Sequence, residues 1–154
     1  MKASYPLLAI SNLLLMIVTA VIGLMVSGEE SYFMRHMLLG VLTAMYTCFV
    51  HIVLFMYFVV QEKIVAQSIL HHELDVAYSP RLQSLKWRAL KLSGVGIVAI
   101  LVTAGLGAAT DIASGPTAHL VAAFAAICLH GVLFYLQYAL IDECGDTTRA
   151  AFGE

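Results

Sequence analysis

Four long apolar runs, set apart by three polar breaks, make up nearly the whole chain. They cover residues 6–27, 37–60, 92–110 and 118–141. Each is near or above the ~20 residues that carry a helix across a bilayer. The runs are continuous and do not alternate with polar residues. Only helices or closed barrels satisfy every backbone polar group inside lipid, so this pattern predicts helices. The first run has only Lys2 ahead of it and no clear small-x-small cleavage site before Gly28-Glu29-Glu30, so it is read as a retained helix. The outer breaks, 28–35 and 111–117, are short, and the second is punctuated by Gly115-Pro116. The middle break, 61–91, is longer. Its stretch 62–74 reads as a helical continuation of the second span, Ser79-Pro80 reads as a break, and 82–91 leads into the third span. The polar tail after Ile141 is expected to fray. No internal repeat stands out. The expectation is an all-α, integral membrane four-helix bundle, up-down-up-down, with residues 1–154 forming a single four-span domain.

Composition agrees with this pattern. Hydrophobic residues are 61% of the 154 and charged residues 12%, with a mean hydropathy of +0.90. An ordinary soluble domain has about 45–50% and about 25%. A soluble stand-alone enzyme and a disordered chain are both excluded. The net charge of −2 offers no basic stripe for nucleic acid. The basic residues do fix a topology. Lys2, Lys63, Arg81, Lys86, Arg88, Lys91 and Arg149 fall on one side of a four-span layout and only Arg35 on the other. The positive-inside bias then puts both termini in the cytoplasm, with the chain integral to the cytoplasmic (inner) membrane. Tyr5, Tyr32, Tyr78, Trp87 and Tyr138 lie near span ends, where interfacial aromatics belong.

Polar residues within the spans are few. Asn12, with Ser11 and Thr19, is expected to face the bundle as interhelical glue. The third span is rich in small residues (Ser93, Gly94, Gly96, Ala99, Ala104, Gly105, Gly107, Ala108, Ala109). Ala104/Ala108 and Gly105/Ala109 form small-xxx-small pairs. Close helix packing is one reading of them, and room for a flat cofactor edge is the other. Cys48 and Cys128 lie in spans and Cys144 in the tail. No Cys-x-x-Cys is present, so zinc knuckles and covalent haem are excluded, and the cysteines read as small hydrophobes. No phosphate-binding loop, Ser-His-Asp set or intramembrane carboxylate pair occurs, which argues against an ion-coupled transporter or pump.

Histidine is the exception to this bland background. His36 and His51 belong to the second span, His119 and His130 to the fourth. Ionisable side chains inside a membrane are functional candidates by default. His119 and His130 are eleven residues apart, about three turns, so they share a face roughly 16 Å apart. His36 and His51 are fifteen apart, roughly 60° out of alignment and about 22 Å along the axis. Counted from the cytoplasmic ends, His51 and His130 are level near mid-membrane, and His36 and His119 are level at the outer edge. Two level pairs of imidazoles are what axial ligation of haem iron requires. Arg35 is a candidate partner for a haem propionate or for Glu29 or Glu30. His71 and His72, with Glu73 and Asp75, form a cytoplasmic cluster that a transition metal could use or that is simply a solvated loop.

This order of histidines resembles the four-helix haem bundle of membrane b-type cytochromes, such as the cytochrome b of respiratory quinol-oxidising complexes. The resemblance implies haem b held by His51 and His130, with a second haem at His36 and His119. It also implies electron transport in the membrane, to or from quinone or as a subunit of a larger redox complex or homo-oligomer. The alternatives are a cofactor-free structural or assembly subunit, in which the histidines serve packing, and a copper- or haem-handling membrane protein.

Overall fold

A computed structural model describes residues 1–26, 30–72, 75–109 and 115–153. It contains four helices: α1 (Ser4–Leu24), α2 (Glu30–His72), α3 (Tyr78–Ala108) and α4 (Gly115–Phe152). All four are long and apolar enough to cross a membrane. At 1.5 Å per residue the 21 residues of α1 measure about 32 Å, close to the hydrocarbon thickness of a bilayer. The 43 residues of α2 reach about 65 Å, roughly twice that thickness.

Local chemistry explains the helix starts. Pro6, Pro80 and Pro116 are the chain's three prolines, and each lies in the first turn of a helix. The first four N–H groups of a helix have no intrahelical acceptor, so a missing donor there costs little. Ser79-Pro80 therefore does not break the middle region, as the sequence suggested. It lies inside the start of α3. The punctuation comes earlier, where Asp75 Oδ1 accepts the Ala77 N–H at 2.9 Å in an Asx turn and the Tyr78 N–H reaches Asp75 O at 3.3 Å. The predicted continuation of the second span is seen as far as His72, and the two residues after it lie outside the described set.

The tail after Ile141 does not fray. α4 runs on to Phe152 because its polar residues share a helix with an inward stripe of Ile141, Cys144, Thr147 and Ala151, all buried. Gly153, at φ 76°, ends the helix in the left-handed conformation that glycine adopts without strain.

Each helix packs on its sequence neighbours, and α1 closes the ring against α4. α2 and α4 also touch across the middle, whereas α1 and α3 do not among the described residues. The four histidines of interest thus lie on the two helices that meet diagonally. The larger core cluster includes Leu54, Phe58, Leu85, Ala89, Phe134 and Ile141, and a smaller one holds Met16, Ile100 and Ala126. Buried polar residues lie beside and within the larger cluster, on its side toward the smaller one: Asn12, Thr47, His51, Ser93, His130 and Gln137. Asn12 acts as interhelical glue, donating to Thr47 Oγ1 at 2.9 Å, and the Thr19 and Thr43 hydroxyls meet at 2.7 Å.

One end of the bundle is tied by charge. Glu62 on α2 pairs with Lys86 on α3 at 2.5 Å. Glu143 on α4 takes Arg88 at 3.3 Å and Arg81 at 3.8 Å, and Lys2 pairs with Asp142. Arg35, by contrast, stacks its guanidinium 5.7 Å over the Tyr32 ring and lies near Ile22 and Leu38.

Two of the sequence's packing expectations are corrected. Ala104, Gly105 and Ala108 of the small-xxx-small pairs face outward, and a Cβ built at Gly105 meets nothing within 4 Å. The small residues of α3 that are pressed by a neighbour are Gly96 and Gly107. Tyr5 is no interfacial anchor. It is 1% exposed, and its hydroxyl points into the bundle. Of the cysteines, Cys144 is buried and Cys48 part-buried, as small hydrophobes are, while Cys128 faces outward from its span.

Candidate functional site

The four histidines meet as two pairs. His51 and His130 lie with ring centroids 5.4 Å apart, and both are 0% exposed. His36 and His119 lie 5.9 Å apart, nearly edge to face. The spacing mismatch on α2 does not part either pair. Phe134 packs on both inner rings, at 5.5 Å from His51 and 5.7 Å from His130.

Glycines make room for the rings. A Cβ at Gly23 on α1 would come within 2.7 Å of His36, and one at Gly107 on α3 within 2.8 Å of His119. A Cβ at Gly96 on α3 would overlap His51 Nε2. The backbone of Gly96 also lies beside the His130 ring.

The outer pair is built twice from one pattern. His36 Nδ1 donates to Thr19 O at 3.1 Å, four residues before Gly23. His119 Nδ1 donates to Thr103 O at 3.0 Å, four residues before Gly107. In each case the helix before the histidine offers a Thr-x-x-x-Gly turn, the threonine carbonyl holding the ring and the glycine giving it space. This local repeat, invisible in the hydropathy, was missed in the sequence. Its signal was Thr19 and Gly23 in the first span matching Thr103 and Gly107 in the third.

The hydrogen bonds also fix where the protons are. A carbonyl oxygen only accepts, so His36, His119 and His130, whose Nδ1 donates to Ala126 O at 2.7 Å, each carry their proton on Nδ1. Their Nε2 atoms are left with a lone pair, as a metal-ligating imidazole needs. His51 differs. Its Nδ1 accepts from Gln137 Nε2 at 3.2 Å. Buried His51 Nε2 and His130 Nε2 have no hydrogen-bond partner among the described residues. A buried polar atom without a partner is costly, about 1–3 kcal/mol, and needs an explanation. Gln137, fully buried at the centre of this network, was not singled out in the sequence because a lone glutamine in an apolar run has no periodicity to announce it.

No protein family model, curated protein or solved structure matches the chain. The site must therefore be judged on its own chemistry. Among the described residues, no group of three or more His, Cys, Asp or Glu side chains converges on one point. Two imidazoles alone make a poor cage for a free ion. They are, however, a complete axial set for iron whose other ligands come from a porphyrin. His71 is exposed at the end of α2, while the His72 side chain and Glu73 lie outside the described residues, as do the side chains of Glu29 and Glu30.

Proposed function

We propose that the chain is a small b-type cytochrome of the inner membrane, holding one haem b between His51 and His130 and a second between His36 and His119. The observation that carries this reading is the pairing of four imidazoles into two sets, with three Nε2 lone pairs fixed by Nδ1 bonds to carbonyl oxygens. Unpartnered His51 Nε2 and His130 Nε2 fit the same group, and Gly23, Gly96 and Gly107 are what let the imidazoles lie where they do. Haem b, once bound, supplies one-electron chemistry at iron; the protein supplies the axial nitrogens, a low-dielectric interior and the hydrogen bonds that tune them. Arg35, near the outer pair, is the candidate partner for a propionate.

The same proposal sets the chain up-down-up-down with both termini and residues 61–91 in the cytoplasm. Support comes from the seven-to-one distribution of basic residues and from the ion pairs that gather Lys2, Arg81, Lys86 and Arg88 at one end. Two level centres on one bundle suit transfer of electrons across the membrane, with quinone or a partner redox subunit as donor or acceptor.

Purification in mild detergent from haem-replete cells tests the assignment. The expected product is red, with a Soret band, α and β bands that sharpen on reduction, and two haems per chain. His51→Leu or His130→Leu should remove one haem, and His36→Leu or His119→Leu the other. A colourless wild-type preparation would overturn the cytochrome reading in favour of a cofactor-free subunit.

A further inference from the structure

Three of the four paired histidines rest their Nδ1 on a backbone carbonyl, which cannot change role. His51 alone rests on a side chain. Gln137 lies 0% exposed on α4 and donates from Nε2 to His51 Nδ1 at 3.2 Å and to Ser93 Oγ at 3.3 Å. On its far side Oε1 accepts the Tyr5 hydroxyl at 2.7 Å. In this arrangement the His51 proton sits on Nε2, the nitrogen that would face a metal.

A carboxamide is nearly symmetric in shape, and turning it over exchanges its oxygen and nitrogen. Turned, Gln137 Oε1 would accept from His51 Nδ1–H and from the Ser93 hydroxyl, while Nε2 would donate to Tyr5 Oη. Each of the three contacts has a donor and an acceptor in both orientations. The same side chain thus accommodates either tautomer of His51, and only the turned form leaves Nε2 with a free lone pair.

We infer that Gln137 is a positioning residue for His51, holding the ring in place and selecting which of its nitrogens carries the proton. The inference rests on the cytochrome reading for its consequence at iron, but the hydrogen bond itself stands without it. In the turned form a side-chain acceptor on Nδ1–H raises the basicity of the ligating nitrogen and favours the oxidised metal. The inner centre would thereby be tuned by a side chain that mutation can change, unlike the carbonyl-held rings.

The test is a set of three variants, Gln137→Leu, Gln137→Glu and Tyr5→Phe, read in two ways. The first is nitrogen NMR of histidine-labelled protein in detergent under reducing conditions. Gln137→Leu should shift the His51 ring signals and leave those of His36 and His119 at wild-type values. Tyr5→Phe frees the carboxamide from its far side without touching His51, and should give a smaller shift of the same signals even if the leucine variant fails to fold. The second is a redox titration. One of two midpoint potentials should move positive in Gln137→Leu and negative in Gln137→Glu, which restores an acceptor, while the other stays fixed. Unchanged His51 signals in both Gln137→Leu and Tyr5→Phe, or unchanged potentials in both position-137 variants, would overturn the inference. A haem-free wild type would sink the cytochrome reading alone, because the nitrogen spectra still decide the role of Gln137.

Discussion

Gly96 lies so close to His51 that a single methyl group on its Cα would occupy the space of the imidazole. Two effects of Gly96→Ala oppose each other. The helix gains about 0.8–1 kcal/mol from losing a glycine. Overpacking costs about 1–3 kcal/mol. The His51 ring has no room to retreat, with His130 at 5.4 Å and Phe134 at 5.5 Å, so the cost prevails. The expected outcome is a lowered Tm in detergent and, on the cytochrome proposal, loss of the haem assigned to His51 and His130. Gly94→Ala and Gly105→Ala, where nothing lies within 4 Å, should leave both unchanged or raise Tm.

Gly23→Ala and Gly107→Ala should each strike the outer pair alone, since their Cβ atoms would come 2.7 and 2.8 Å from His36 and His119. On the cytochrome proposal, haem content should fall by one per chain in either variant. The double variant should lose no more than one, because both substitutions disable the same centre and their effects are not additive. Loss of both haems from either single variant would show that the two pairs are not independent.

The ion pairs at the charged end should separate by salt. Glu143 faces Arg81 and Arg88 with side chains 38–59% exposed, so Glu143→Gln should cost about 0–1 kcal/mol, and 1 M salt should abolish the difference. Glu62 and Lys86 are only 19% and 21% exposed. Glu62→Gln leaves a part-buried ammonium without its partner and should cost more, about 1–3 kcal/mol, with little salt dependence. Thermal unfolding at low and high salt reads both.

Orientation is open to thiol labelling. With Cys48, Cys128 and Cys144 replaced by alanine, Arg35→Cys should react with a membrane-impermeant maleimide applied to intact spheroplasts. Lys63→Cys should react only after the membrane is opened. The opposite pattern would invert the topology.

Much of this architecture is legible without coordinates, because lipid leaves a chain few options. Hydropathy locates four spans, and helix arithmetic pairs His51 with His130 and His36 with His119. What failed did so for particular reasons. The tail after Ile141 looked solvated because Asp142, Glu143 and Asp146 dominate its composition, yet Cys144, Thr147 and Ala151 recur at helical spacing and are buried. Ser79-Pro80 looked like a break because proline ends helices more visibly than it begins them. The small-residue pairs were chosen by spacing on α3 alone, whereas Gly96 and Gly107 are selected by rings on other helices. Tyr5 and Gln137 share one buried hydrogen bond across 132 residues, and no local pattern reports such a contact.

The twice-used turn of Thr19-Gly23 and Thr103-Gly107 makes each helical hairpin self-sufficient. α1 and α2 carry one outer histidine with its own acceptor and its own space, and α3 and α4 carry the other in the same way. The outer centre therefore needs no covalent link between the halves. Fragments 1–72 and 78–154, made as separate chains, hold between them all the groups that form it. The inner pair has no such symmetry: Gly96 and Gln137 come from the second half alone and Tyr5 from the first.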